Sequence, residues 1–242
     1  MNILGIETST GINSVAVLCD KRILAEITQN NGDSQSALLA GNIKEVLLNA
    51  SLDLNEINGI AVSLGPGSFT ALRVGVSYAK GLAFASGIKI AGVPALDAQA
   101  FRFYEGKRGV QEAYGTRPEL KLICPMGDAR KNEVYYSAYT EKDGELLKLL
   151  PESCAGIEKT IAVLAALGAK ELIFQGEGAV KYSSAIKALL GECCLAPEKK
   201  LYPSAVSVAE LGAFILKQGQ APDFGSLLPL YVRKSDAELG IK

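Results

Sequence analysis

The chain has 242 residues, 48% hydrophobic and 21% charged, with 25 basic against 26 acidic side chains. That balance excludes general disorder and offers no bulk charge to draw a nucleic acid backbone. There is no histidine and no tryptophan, so a Ser-His-Asp triad, a histidine metal ligand and a histidine base are all excluded for this chain acting alone.

Ile3–Ile6 reads as a short strand that stops at the polar cluster Glu7-Thr8-Ser9-Thr10-Gly11. Ser14–Leu18, with Val15 and Val17 on one face, and Arg22–Gln29 follow as strands on either side of the Asp20-Lys21 turn. Leu39, Ile43, Val46, Leu47 and Ala50 recur at three- and four-residue spacing and predict a helix over Ser36–Ala50. Strand Ile60–Leu64, a Gly-Pro-Gly loop, helix Thr70–Ser86 and strand Lys89–Val93 come next, and Pro94 opens a helix to about Tyr104. The polar, Gly- and Arg-bearing stretch Glu105–Leu120 is read as a lobe boundary.

The second half begins in the same way. Lys121–Cys124 is a strand, Asp128-Ala129-Arg130 a polar turn, and Val134–Thr140 alternates across two faces. Asp143-Gly144 is a hairpin signal before Leu146–Leu150. Helix Ile157–Ala166, strand Leu172–Gln175, helix Ala179–Leu190, helix Ser207–Lys217 and a tail from Asp223 complete the chain. Strand, acidic turn, strand, turn, strand thus occurs twice, each time followed by helices and further strands. This predicts an α/β protein of two lobes, each a mixed sheet led by an antiparallel strand triplet with flanking helices. The first lobe is expected over residues 1–104, completed by a helix at 204–220; the second over 105–203; a C-terminal tail over 221–242. This is the layout of the actin-like (ASKHA) superfamily.

Three features could carry chemistry or recognition. The turn Ser63-Leu64-Gly65-Pro66-Gly67-Ser68-Phe69-Thr70 joins a buried strand to a long helix. Its glycines and free amides suit either a tight, serine-capped connection or an anion, and no Gly-Lys-Ser/Thr follows to make it a nucleotide P-loop. In the helix after it, Ala71, Gly75, Ala79 and Ala83 recur every fourth residue and form one strip of small side chains. With Leu72, Val74, Val76, Tyr78 and Leu82 on other faces, and Arg73 and Lys80 on one narrow face, the helix reads as core or as an interface. As an interface it would comprise Ala71, Arg73, Gly75, Tyr78, Ala79, Lys80 and Ala83, and bulk at Gly75 should block association while sparing the fold. The third feature is the pair of acidic turns. Glu7 marks the first lobe, and Asp128 with Arg130 the second, the latter expected to fix its turn as a local pair. The turn Gln175-Gly176-Glu177-Gly178-Ala179 is of a type that can lie against an adenosine. Gly65, Gly67, Ser68, Gly176 and Gly178 are therefore the anion or nucleotide candidates.

Cys19, Cys124, Cys154, Cys193 and Cys194 are odd in number and form no C-x-x-C pair, so they read as reduced thiols packed as small hydrophobes in a cytoplasmic protein. Glu7 interrupts the first apolar run, which therefore does not read as a secretory signal. Ile57–Leu72, uncharged but broken by glycines and Pro66, is too short to span a bilayer.

Together these residues resemble the TsaB (YeaZ) family. The resemblance rests on Ile3-Leu4-Gly5-Ile6-Glu7-Thr8-Ser9-Thr10, on Gly65-Pro66-Gly67-Ser68-Phe69-Thr70 with Arg73-Val74-Gly75, and on Gly92-Val93-Pro94-Ala95-Leu96-Asp97. Asp128-Ala129-Arg130 with Glu133-Val134-Tyr135, and Pro229-Leu230-Tyr231-Val232-Arg233-Lys234-Ser235-Asp236-Ala237-Glu238, extend it to the whole chain. The family implies an actin-like two-lobed fold. It also implies a role in forming threonylcarbamoyladenosine at position 37 of tRNAs that read codons beginning with A. Its members are non-catalytic partners of the related transferase TsaD, joined by the ATPase TsaE, and form homodimers through first-lobe helices that also meet TsaD. Those helices map to Ser36–Ala50 and Thr70–Ser86. The resemblance implies no metal and no intrinsic cofactor, with ATP or ADP held only in the assembled complex and tRNA reached only through it. The family often has Asp where this chain has Glu7, and His-Ser where it has Asp33-Ser34. The catalytic relative holds its metal with a His-x-x-x-His pair, which this chain lacks, and a protease reading fails for the same reason. The alternative from another class is an ATP-dependent enzyme of actin-like fold, a small kinase or ATPase.

Overall fold

A computed structural model of the chain describes residues 1–30, 35–104, 109–118, 121–191, 194–195, 201–220 and 222–233. Asp33, Ser34, Cys193 and the tail residues Lys234, Ser235, Asp236, Ala237 and Glu238 lie outside them, as does the Cys194 side chain. The chain forms two compact units, Met1–Ala98 with Pro203–Leu230, and Gln99–Tyr202 with Tyr231–Lys242.

The first unit is built on β1 (Asn2–Glu7), β2 (Ile12–Cys19), β3 (Arg22–Asn30), β4 (Gly59–Gly65) and β5 (Lys89–Pro94). They lie in the order β3-β2-β1-β4-β5, antiparallel across β1–β3 and parallel across β1, β4 and β5. Because side chains alternate across a strand, Leu4, Ile6, Val15, Val17, Ile60 and Val62 all reach one face. There they pack with Leu39, Ile43 and Val46 of α1 (Gln35–Asn49) and Val76, Ala79 and Ala83 of α2 (Phe69–Ser86). α3 (Ala95–Tyr104) follows β5 and is divided between the units after Ala98.

The opposite face is nearly side-chain-free at its centre, and a distant helix fills it. In chain order the next elements belong to the second unit: β6 (Val110–Glu112), β7 (Lys121–Arg130), β8 (Glu133–Lys142), β9 (Glu145–Gly156), α4 (Ile157–Ala166), β10 (Glu171–Gln175), α5 (Glu177–Lys181), α6 (Ser183–Leu190) and β11 (Cys194–Leu195). The helix that returns to the first sheet is α7 (Ala205–Lys217). Gly5, Gly59 and Gly212 permit its close approach. An added Cβ would stand 2.2 Å from the Ala205 carbonyl oxygen at Gly5, 2.3 Å from the Leu216 side chain at Gly59, and 2.3 Å from the Ala61 side chain at Gly212. The α7 N-terminus is capped by parts far apart in sequence. Ser204 Oγ accepts from Val206 N and donates to Glu26, while Ser14 Oγ accepts from Ala205 N. Two serine hydroxyls thus meet orphan amides of the first turn, and the Glu26 carboxylate holds one of them, Ser204.

The second sheet runs β11-β10-β7-β8-β9-β6. Leaving out β6, this repeats the order of the first sheet, which is the structural repeat expected from the sequence. Asp143 and Gly144 both have positive φ and turn β8 into β9, as the Asp-Gly signal predicts. The core on the helix side joins Leu122, Cys124, Met126 and Phe174 to Ile161, Leu164 and Ile186. Cys19, Cys124 and Cys154 are free thiols.

Four expectations differ from this structure. The stretch expected as a boundary contains β6, paired parallel with β9, but three residues are too few to show alternation. The helix expected over Ala179–Leu190 is two, because Tyr182 (φ −102°, ψ 18°) ends α5 and begins α6. The units divide at Ala98 rather than at Tyr104. Finally, residues 222–230 are not a separate tail. Leu227 is buried in the first-unit core, Leu230 N donates to the Leu64 carbonyl at 2.7 Å, and Lys80 Nζ donates to the carbonyls of Gly225 (3.2 Å) and Leu227 (3.1 Å). Hydrogen bonds from a charged donor are worth about 1.5–3 kcal/mol. Lys80→Met should therefore loosen this strap, and hydrogen exchange should show it as faster exchange at Leu230 N with β1 unchanged. Equal protection in both proteins would make the clasp irrelevant.

Candidate functional site

The strand-end loops of the first unit are packed against each other. Glu7, at the end of β1, is fully buried, and Oε1 accepts from Ser9 N. Burial pushes its carboxyl above the ordinary 4.5. Gly65 needs its glycine, with φ +97°. A Cβ on Gly67 would lie 2.0 Å from the Ser9 carbonyl oxygen, and Ser68 N donates to that same oxygen at 2.8 Å. Ser68 is the N-cap residue of α2 but makes no side-chain cap hydrogen bond. The Gly-Pro-Gly-Ser turn therefore seats α2 on the β1–β2 loop, and at least one amide that an anion would use is already committed.

The second-unit turns are likewise packed. Gly176 has φ +102°, and a Cβ there would stand 2.1 Å from the Met126 carbonyl oxygen; at Gly178 it would be 3.0 Å from that of Gly127. Both glycines let α5 sit on the end of β7. At Gly67, Gly176 and Gly178 the space a side chain would take is thus filled by carbonyls of the chain itself. Asp128 Oδ1 accepts from the backbone N of Arg130 (3.0 Å), and Oδ2 from Lys181 Nζ (2.8 Å). The expected Asp128–Arg130 pair is thus a contact to the arginine backbone, and the charge partner is Lys181. Exposed ion pairs contribute little. Asp128→Asn should therefore leave the melting temperature nearly unchanged, and a fall of many degrees in a thermal melt would show that the Lys181 pair holds the turn. Arg233 donates from Nη1 to the Ala129 carbonyl (2.7 Å) and from Nε to Glu133 (3.2 Å), which anchors the described part of the tail motif. Among the described residues, no group of three or more Cys, Asp or Glu side chains is placed to hold a metal ion.

The small-residue strip of α2 faces inward. Ala71, Gly75, Ala79 and Ala83 are all buried. Thr8 Oγ1 donates to the Ala71 carbonyl at 3.0 Å, and a Cβ on Gly75 would take an atom to within 2.3 Å of that hydroxyl. The strip lets α2 lie close to its own sheet. Tyr78 is half-buried against the same core, and Lys80 holds the C-terminal strap. Of the seven residues expected at an interface, Arg73 is the exposed one. The outward face consists of Phe69, Arg73, Ser77, Gly81 and Phe84, with the Arg73 guanidinium 3.8 Å above the Phe69 ring. Phe84 is 74% exposed and Leu48 of α1, which packs beside α2, 75%. Gly81 and Gly41 have nothing within 4 Å of where a side chain would stand. At its C-terminal end the face borders an apolar hollow of about 380 Å³ between Phe84, Ile88, Leu216, Pro222 and Phe224.

A model of the family described as TsaD, tRNA N6-adenosine threonylcarbamoyltransferase, matches residues 22–194, more than half of the chain. The chain belongs to this family. Within the family its likeness is to TsaB. It is 27% identical to the tRNA threonylcarbamoyladenosine biosynthesis protein TsaB of Bacillus subtilis, over 98% of this chain and 96% of that protein. It is 33% identical to TsaB of Haemophilus influenzae over 57% of this chain, spanning about half (53%) of that relative. Among solved structures it is similar to YeaZ from Pseudomonas aeruginosa, with 25% identity and a TM-score of 0.74 over 95% of this chain and 99% of that one. The actin-like α/β fold, with one mixed sheet in each unit, is the fold of this TsaB (YeaZ) group.

Phe69, Ser77, Gly81 and Phe84 on α2, and Gly41 and Leu48 on α1, are exposed positions outside the seven expected at an interface. The available signal was glycine inside a helix. Each costs about 1 kcal/mol against alanine, and at Gly41 and Gly81 no described residue lies within 4 Å of where a Cβ would stand.

Proposed function

We propose that this chain is a non-catalytic subunit in the formation of threonylcarbamoyladenosine at position 37 of tRNAs reading codons beginning with A. It activates a TsaD-type transferase by docking on it, with a TsaE-type ATPase joining the assembly. The observation that carries this reading is the outer face of α2, sparsely charged, flanked by exposed rings and interrupted by Gly81. A helix crossing at Gly81 could approach the backbone closely, as small residues allow. The same face serves a homodimer, so the two associations compete. The absence of histidine from the whole sequence supports a role without the transferase's metal chemistry. The closed packing of Gly67 and Gly176 supports ATP or ADP being held only in the assembled complex, with tRNA reached through it. No helix among the described residues is long and apolar enough to cross a membrane, and the reading places the chain in the cytoplasm.

Co-purification of the tagged chain with the TsaD-type protein of the same organism tests this. A stable heterodimer is expected, and the chain alone should turn over ATP with magnesium at well under about 1 s⁻¹. Faster turnover by the isolated chain would favour an actin-like-fold kinase or ATPase.

A further inference from the structure

Strand β8 is bounded by two tight turns of opposite chemistry. At its far end Asp143 and Gly144 take positive φ, as an Asp-Gly pair allows. At its start Arg130 pairs with Glu133, so Lys131 and Asn132 are the two central residues of the turn. A two-residue turn asks positive φ of both, which suits asparagine, aspartate or glycine. Here Arg130 (φ 61°), Lys131 (φ 50°) and Asn132 (φ 61°) are left-handed in succession. That backbone is unfavourable for an L side chain, and residues other than glycine normally visit it singly. Of the three, only Asn132 is a type that the turn favours.

The surroundings hold this turn by its backbone. Asp128 Oδ1 accepts from Arg130 N, the Asn132 carbonyl accepts from Ile157 N (3.3 Å), and Arg233 Nη1 donates to the Ala129 carbonyl. A register shift between Asp128 and Arg130 marks a bulge, a feature that re-aims the side chain beside it. The acidic groups nearby are engaged: Asp128 with Lys181, Glu133 with Arg233, and Glu177 with the Asp128 amide. Arg130 and Lys131 are exposed, and the bond that fixes Arg130 uses its amide rather than its guanidinium. A strained backbone, over-determined by its neighbours and carrying two cations where glycine would fit without strain, points to a role for those side chains.

We propose that the Arg130-Lys131 tip binds the phosphate backbone of the tRNA once the complex has assembled. The inference rests on the tRNA reading above and adds a direct contact to it. A guanidinium matches phosphate oxygens in geometry, and the lysine beside it adds a point charge. The chain has a formal net charge of only −1, so the contact is local and does not by itself recruit RNA. Phosphate contacts of this kind fix the register and orientation of a nucleic acid without reading its sequence. Because the turn is held in shape beforehand, little ordering is left to be done on binding. An acidic protein surface is the competing occupant.

Binding of an unmodified tRNA transcript to the assembly of the full chain with the TsaD-type protein tests it, read from about 0.05 to 0.3 M salt. Arg130→Gly and Lys131→Gly should each melt no lower than the wild type, because glycine fits a left-handed backbone. Each should weaken tRNA binding about tenfold at about 0.1 M salt, and flatten the slope of log affinity against log salt by about one. Arg130→Lys should keep the wild-type slope. Melts lowered by several degrees would mean that the side chains hold the turn, and wild-type affinity and slope in both glycine variants would mean no phosphate contact; either result overturns the proposal. Loss of the heterodimer in place of tRNA affinity would make the occupant an acidic protein surface, which also overturns it. A wild-type assembly that binds no tRNA would bring down the underlying tRNA reading, and this inference with it.

Discussion

Gly75→Leu is expected to unfold the first unit at markedly lower temperature, without first acting on association. The Cβ alone would lie 2.3 Å from Thr8 Oγ1, a short β-branched side chain held by its bond to the Ala71 carbonyl. Neither the hydroxyl nor the adjacent strand can give way. Overpacking a tight core costs about 1–3 kcal/mol, occasionally more, and the upper end applies because backbone must move. For a unit of this size that is a fall in Tm of roughly 10 °C. A normal melt with lost association would return the strip to the interface.

Gly81→Leu should do the opposite. A Cβ there would meet nothing within 4 Å among the described residues. Replacing a glycine in a helix with leucine should raise stability by about 0.5–1 kcal/mol. On a docking face the same bulk keeps a partner helix away. A penalty of about 1–3 kcal/mol is a 5- to 150-fold loss of affinity for the homodimer and the TsaD-type heterodimer alike. Sedimentation beside a thermal melt reads both effects. Unchanged association in a stabilised variant would remove this face from the account.

The contrast between these two glycines shows what was legible. Helical spacing correctly grouped Ala71, Gly75, Ala79 and Ala83 on one face, but periodicity says which residues share a face and not what the face meets. Their partners are the sheet, β4 above all, and Thr8, more than sixty residues before Ala71. The strand triplets were readable because β1 and β7 open as apolar runs that stop at polar turns, β2 and β8 place residues on two faces, and the Asp143-Gly144 turn fixes its own geometry. β6 was not, being three residues paired with β9 across the two intervening strands β7 and β8. The position of α7 was legible only as an expected completion of the first lobe. The cap that anchors it draws on Ser14, Glu26 and Ser204, none of which signals the others in sequence. Asp128 was read as a turn residue, which it is, while Lys181 lies fifty-three positions on and has no local mark.

In the proposed function the chain enables a TsaD-type transferase and performs no transfer itself. Reconstitution on an unmodified tRNA transcript tests it most directly. The TsaD-type protein, the TsaE-type ATPase and the threonylcarbamoyl donor are supplied in every reaction, and this chain is omitted, added as wild type, or added as Gly81→Leu. Modified adenosine at position 37 should form with the wild type, fall sharply with Gly81→Leu and be absent without the chain. Product formed equally well without this chain, or formed by this chain with donor and tRNA when the TsaD-type protein is left out, would contradict the account.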